Sequence, residues 1–164
     1  MDVLRRNTDY ALRSMLNLAK HYEDEVLSTK AIADEEQISY QFACKILQKL
    51  HDAKLVESRM GPRGGFRLSL DPSKITVLQI IEAVQGPVSL SKCLVGAHVC
   101  PLQTSCPVRV KLEELQESMN SYLGSITLKE LVRSHGAKTQ ESAKRTSTSS
   151  VESLKKKNMS PDRR

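Results

Sequence analysis

"STKAIADEEQISYQFACKILQKLHDAKLVESRMGPRGGFRLSL", residues 28–70, carries the pattern that decides the fold. Ser28 is placed to cap a short helix ending near Glu35, with Leu27 and Ile32 as the staple pair across the cap. The chain breaks at "EQI", and Ser39 then caps a second helix, "YQFACKILQKLHDA". Two short helices joined by a tight turn are the helix-turn-helix pattern. At about 100° per residue, Phe42, Ala43, Ile46 and Leu50 fall on one face, with Leu47 at its edge. That face is predicted to enter the core. Tyr40, Gln41, Cys44, Lys45 and Gln48 fall on the other, where Gln and Lys suit base edges and phosphates. A solvated surface helix is the plainer alternative.

The next stretch of chain weighs against the plainer reading. "LVESRMGPRGGFRLSL" is two apolar-alternating stretches around a Gly/Pro turn, a β-hairpin. Arg63 lies in its turn, and Arg59 and Arg67 flank it. A helix-turn-helix joined directly to an Arg-bearing hairpin is a winged helix, whose wing can set arginines in a minor groove. Gly61, Gly64 and Gly65 are expected to supply positive φ in the turn. They do not form a phosphate-binding loop, since no Gly-Lys-Ser/Thr comes after them. Between Ser39 and Arg67 lie Lys45, Lys49, Lys54, Arg59, Arg63 and Arg67 against Asp52 and Glu57 alone. This local excess of charge suits a phosphate-facing surface. The candidate DNA-facing residues are Ser28, Thr29, Tyr40, Gln41, Cys44, Lys45, Gln48, Lys49, Arg59, Arg63 and Arg67.

Upstream, Leu12, Met15, Leu16, Ala19 and Tyr22 recur at helical spacing, so a helix is predicted from Thr8, as N-cap, to Tyr22. Asp9 then sits in its first turn, where a carboxylate suits the helix dipole. Downstream, "TVLQIIEAVQG" reads as a helix capped by Thr76 and ended at Gly86-Pro87. From Pro107, Val108, Leu112, Leu115, Met119, Tyr122 and Ile126 form a heptad stripe, the mark of a helix packed along another. The partner is either the protein's own core or, as two DNA half-sites favour, a second subunit. Thr127 and Glu130 make a capping box for a last short helix, "LKELV". The expected organisation is mainly α: a winged-helix head over 1–86, a cysteine loop over 87–106, a dimerisation helix and terminal helix over 107–136, and a disordered basic tail over 137–164.

The net charge of +6 is mostly a property of that tail, which has eight basic and three acidic residues from Ala137 onward. No run of apolar residues is long enough for a membrane span, and "MDVLRRNTDY" lacks the apolar stretch of a secretory signal. The expected compartment is the cytoplasm, where thiols stay reduced. That bears on "CLVGAHVCPLQTSC", residues 93–106, with cysteines at 93, 100 and 106. A disulfide is disfavoured there. A structural zinc needs four ligands, and His98 could supply the fourth, but the spacing is looser than a zinc knuckle. Three thiolates also fall one short of the usual iron–sulfur set, which leaves one iron open to a small molecule and suits a sensor. Cys44 stands apart from the trio, and His21, His51 and His135 show no metal spacing.

Residues 38–87, the three spaced cysteines and "ITLKELV" together resemble the bacterial IscR/NsrR-type winged-helix regulators. The resemblance covers roughly residues 1–135. It implies a homodimer on a palindromic operator in double-stranded DNA, with base contacts from Gln41, Cys44 and Lys45. It implies an iron–sulfur cluster on Cys93, Cys100 and Cys106. The family's wing motif is preceded by an Arg where Met60 stands here, and Arg63 replaces a wing Gly. One branch has a His three residues after the third Cys, which here is Arg109 and cannot ligate. In the nitric-oxide-sensing branch an Asp from the other subunit is the fourth ligand, and Asp9 matches it, favouring 4Fe–4S over 2Fe–2S. Asp9 and Arg13, one turn apart, could pair once the carboxylate leaves iron. The resulting expectation is a transcription regulator, a repressor, sensing nitric oxide, redox or iron–sulfur status. The alternatives are a cluster-free regulator of the same fold, controlled by zinc, thiol oxidation or a protein partner, and an iron–sulfur enzyme or electron carrier. Small size and the absence of a substrate-binding, second-cluster or flavin motif stand against an enzyme.

Overall fold

The structure, a computed structural model, describes residues 4–22, 26–95, 100–101 and 105–134. The expected tail over 137–164, together with His98 and His135, lies outside them. The elements run α1 (Arg6–Lys20), α2 (Thr29–Glu35), α3 (Tyr40–Asp52), β1 (Val56–Arg59), β2 (Gly65–Leu68), a 3₁₀ turn (Pro72–Lys74), α4 (Val77–Gln85), α5 (Lys92–Val95) and α6 (Pro107–Ser125). A last helix, α7, covers 128–134. This is the mainly α, winged-helix architecture the sequence predicts. No helix among the described residues is long and apolar enough to cross a membrane.

The caps chosen by local chemistry are in place. Ser28 accepts from the Ala31 N–H and Ser39 from the Phe42 N–H. Thr76 and Gln79 make a reciprocal capping box. Each satisfies helix-terminal donors that would otherwise have no partner. α1 differs. Its N-cap is Arg5, and Thr8 is fully buried inside the first turn. The Thr8 hydroxyl donates to Gln85 Oε1 at 2.7 Å, and the same oxygen accepts from the Arg5 N–H at 3.0 Å. The last residue of α4 thus does the capping, so Thr8 is released to pack. α1 also stops at Lys20, leaving Tyr22 exposed, while Ser14, Asn17 and Leu18 join Met15 and Ala19 in the interior. The buried arc is wider than a single stripe because α1 packs against α4, β2 and α3 together.

Met15, Ile32, Leu47, Leu50, Ile75, Ile80 and Leu128 are fully buried, or nearly so, in one core. Burying each such side chain is worth about 1.5–3 kcal/mol. Antiparallel pairing of β1 with β2 sets Val56 opposite Leu68, Glu57 opposite Arg67 and Arg59 opposite Gly65. Leu27 adds a bridge to Phe66, with N–H···O distances of 3.0 and 2.8 Å. Of the wing glycines only Gly61 has positive φ, at 114°. Gly64 and Gly65 serve close approach instead: a Cβ would lie 2.3 Å from the Arg59 carbonyl oxygen and 2.1 Å from that of Leu27.

The heptad stripe divides. Met119, Leu123 and Ile126 pack against Val77, Ile81 and Val88 of the same chain, while Val108, Leu115 and Tyr122 are exposed. After α6 the chain returns to the head. The Val77 N–H donates to the Ile126 carbonyl, the Leu128 N–H to that of Ile75, and Leu128 fills the main core.

Candidate nucleic-acid interface and cysteine region

Three elements meet at one cleft. Ser28, Thr29 and Lys30 come from the start of α2, Tyr40 from the start of α3, and Ser58, Arg59, Gly61, Gly64, Gly65 and Phe66 from the wing. The cleft holds about 340 Å³. Lys30 and Ser58 are not among the residues the sequence singles out. Helical periodicity around Ser28 would have found Lys30, but the placement of Ser58 depends on strand register.

Along α3, Gln41, Lys45 and Gln48 are exposed and Cys44 is half-buried, while Ala43, Ile46, Leu47 and Leu50 enter the core. The Tyr40 hydroxyl hydrogen-bonds the Cys44 sulfur one turn on, and this, aided by the nearby thiolate charge, raises the Tyr40 pKa above the ordinary tyrosine value. Gln48 Nε2 donates to Asp52 Oδ1 at 2.8 Å. Lys49 departs from expectation. Its Nζ donates to the Val84 carbonyl at 2.6 Å, at the C-terminal end of α4. A cation is favoured against those unpaired carbonyls, so Lys49 points along the protein and not into the outer face. Arg67 is likewise engaged, with Glu57 directly across the strands. Arg59 and Arg63 remain exposed, without an ion pair among the described residues. Among the candidate contacts and the residues lining the cleft, the exposed cations without an ion pair or, as for Lys49, a carbonyl partner are therefore Lys30, Lys45, Arg59 and Arg63; Lys54, past the end of α3, is exposed as well.

The expected Asp9–Arg13 pair is replaced by another. Arg13 Nε lies 2.7 Å from Oε2 of Glu36, whose side chain is 7% exposed. This is an ion pair whose angle falls short of a hydrogen bond, so Glu36 Oε2 has no hydrogen-bond partner. A buried carboxylate needs a countercharge more than the exposed Asp9 does, which is why Glu36 holds the guanidinium. Arg13 also lies over the Tyr10 ring, 5.6 Å from its centroid, and Tyr10 meets Phe42 of α3 edge-to-face at 5.7 Å. Local spacing does not reveal this pair, because Glu36 lies 23 residues along the chain from Arg13.

Cys93, Cys100 and Cys106 are free and half-buried. Cys93 sits in α5 with Sγ 3.2 Å from Ser91 Oγ, and Cys106 is the N-cap of α6 with no cap hydrogen bond from its side chain. Arg109 pairs with Glu113 at 2.7 Å. Among the described residues no three His, Cys, Asp or Glu side chains are assembled to hold a metal ion.

A family model, Rrf2, an iron-dependent transcriptional regulator, matches residues 4–134. The HTH-type transcriptional regulator IscR of Aliivibrio salmonicida is 34% identical over 123 residues, covering 75% of this chain and 73% of its own. The solved structure of CymR (YrzC), the global cysteine regulator of B. subtilis, matches with a TM-score of 0.68 at 28% identity, covering 81% of this chain and 98% of that one. IscR of T. potens matches with a TM-score of 0.66 at 24% identity, covering 80% and 87%, a likeness of fold.

Proposed function

The chain belongs to the Rrf2 family of DNA-binding transcriptional regulators, and from that premise we propose that it is a homodimeric repressor whose grip on a palindromic operator is set by an iron–sulfur cluster. The observation that carries the DNA half is the convergence of α2, α3 and the wing on one cleft flanked by outward cations. Gln41, Cys44 and Lys45 face base edges. Ser28, Thr29, Lys30 and Arg59 line the backbone, and Arg63 meets the phosphates at the rim of the minor groove. Val108, Leu115 and Tyr122, exposed one heptad apart on α6, form the dimer seam.

The cysteine region suits a cluster by the chemistry of its donors. Three free thiols flank one short segment, and Cys106 stands at the N-terminus of α6. Cys93, Cys100 and Cys106 would hold the cluster, with Asp9 of the other subunit as oxygen donor, and 4Fe–4S is the preferred type. Such a cluster supplies an iron with a weak fourth ligand, open to nitric oxide or oxidants. Arg13, already held by Glu36, keeps α1 fixed on the reading head and needs no pairing with Asp9.

A second reading is a cluster-free regulator controlled by zinc, thiol oxidation or a protein partner. It is favoured by the likeness to the cysteine regulator CymR. Anaerobic purification decides between them. Stoichiometric iron and acid-labile sulfide, lost in Cys93→Ala together with part of the operator affinity, support the first. A colourless protein whose operator affinity varies with thiol oxidation or zinc supports the second. Equal affinity of holo, apo and Cys93→Ala proteins refutes cluster control.

A further inference from the structure

The tip of the wing is apolar between cationic flanks. Met60 is 95% exposed, more than any other large hydrophobic side chain among the described residues. It comes directly after Arg59, the last residue of β1, and precedes the turn Gly61-Pro62-Arg63-Gly64, all in a solvent-facing loop. The Gly64 N–H donates to the Gly61 carbonyl at 2.9 Å, which closes the turn with Pro62 in its second position. Gly61 adopts φ +114°, and Gly64 lies too close to the Arg59 carbonyl for any Cβ. The tip is thus narrow and stiff, and it presents Met60 and Pro62 outward between two arginines without ion pairs.

A single exposed methionine is ordinary on a protein surface. One at the end of a rigid arm, beside the cleft built by α2 and α3 and bracketed by unpaired cations, is matched to a polyanion with an apolar interior. We propose that Met60, with Pro62 beside it, is a wedge that enters the minor groove of bound duplex DNA and partly unstacks one base step, while Arg59 and Arg63 hold the flanking phosphates. This rests on the reading that the wing faces DNA. Methionine and proline are among the side chains that pry open base steps and kink a duplex toward the major groove. A thioether carries no charge, so it gains nothing from the potential of a narrow A·T tract. It favours instead a step that unstacks readily, pyrimidine–purine, at the position under the wing. Recognition there depends on deformability rather than on groove charge.

The test uses the full chain and a duplex selected by the protein from a random pool, labelled at both ends so that bending is read by energy transfer. Met60→Ala is expected to bind about tenfold more weakly for each wing that is inserted, the order for withdrawing one apolar side chain from a buried contact. Its salt slope stays unchanged and the DNA bend is lost. Arg63→Ala is expected to keep the bend and to lower the salt slope by about 0.9 for each wing. Met60→Arg is expected to lose the preference for a pyrimidine–purine step. Thermal unfolding of Met60→Ala matches the parent, since its side chain touches little of the fold. Unchanged affinity and bend in Met60→Ala overturn the wedge. So does normal DNA binding combined with loss of repression, which would mark the tip as a protein-docking surface. Failure of the parent to select any sequence would instead overturn the DNA reading beneath it.

Discussion

Lys45 and Lys49 lie one turn apart on α3, and their replacement by alanine is expected to have opposite consequences. Lys45 is exposed on the outer face, while the Lys49 ammonium donates to the Val84 carbonyl at 2.6 Å. A lysine that neutralises a phosphate contributes about 0.9 to the slope of log K against log salt. In a dimer, Lys45→Ala removes two such contacts, so the slope falls by about 1.8. Between about 50 and 200 mM salt the deficit relative to the parent then shrinks about twelvefold. Lys49→Ala removes a charged hydrogen bond from a helix C-terminus, worth about 1 kcal/mol where the ammonium is only partly buried. That lowers Tm by about 2–6 °C and leaves the slope alone. Fluorescence anisotropy across a salt series, paired with thermal unfolding of the free protein, measures both. If Lys49→Ala lowers the slope as much as Lys45→Ala does, its tie to α4 does not persist on DNA and the orientation argued for α3 is wrong.

Leu128→Ala is expected to cost about 2–5 kcal/mol by denaturant unfolding, because Leu128 is fully buried in the main core although it lies beyond the long helix in sequence; a loss below about 1 kcal/mol would detach α7 from the head. Arg13→Ala leaves the Glu36 carboxylate buried without its countercharge and is expected to lose about 1–3 kcal/mol, the half-exposed arginine keeping it at the low end for buried pairs. Glu36→Gln should recover much of that loss in the Arg13→Ala background, and additive effects in a double-mutant cycle would deny the pair. Tyr40 has a folded-state pKa raised by its bond to Cys44, so the stabilisation it gives is present at neutral pH and disappears as pH rises through that raised value. Cys44→Ala is expected to move the Tyr40 tyrosinate absorbance, isolated by difference against Tyr40→Phe, to lower pH; an unmoved titration would rule the hydrogen bond out as the cause.

The features legible in the sequence are those fixed by neighbours in the chain. Ser28, Ser39 and Thr76 cap because a side-chain oxygen reaches an N–H three residues on. The wing comes from Gly and Pro between alternating strands, and the inward face of α3 from its period. The residues that the chain's neighbours do not explain have partners set by the fold. Thr8 packs because Gln85, 77 residues on, takes over the cap of α1. Lys49 lies along the protein because Val84, 35 residues on, presents a carbonyl to its ammonium. Arg67 is neutralised by Glu57 only through strand register. A count of positive charge between Ser39 and Arg67 cannot separate such engaged cations from free ones, and Lys49 and Arg67 are the two candidates that the fold already engages.

The segment from α4 to α7 is an excursion tied at its neck. Thr76 bridges to Thr127, the Val77 N–H donates to the Ile126 carbonyl at 3.0 Å, and Leu128 closes on Ile75. Further out, Gln116 of α6 donates to the Val88 carbonyl and accepts from the Leu90 N–H, both at 2.9 Å, so the chain leading to Cys93 is fastened to the long helix. Met119 and Leu123 of α6 rest on Val77 and Ile81 of α4. The far end of α4 is in turn held to α3 by Lys49 and to α1 by Gln85. Spatial continuity alone does not make a coupling, which also requires an element with two arrangements. The packing does establish the order of parts. Along this packing α4, a nine-residue helix, stands between the cysteine arm and α3, so any element with two arrangements that links the two has to include it.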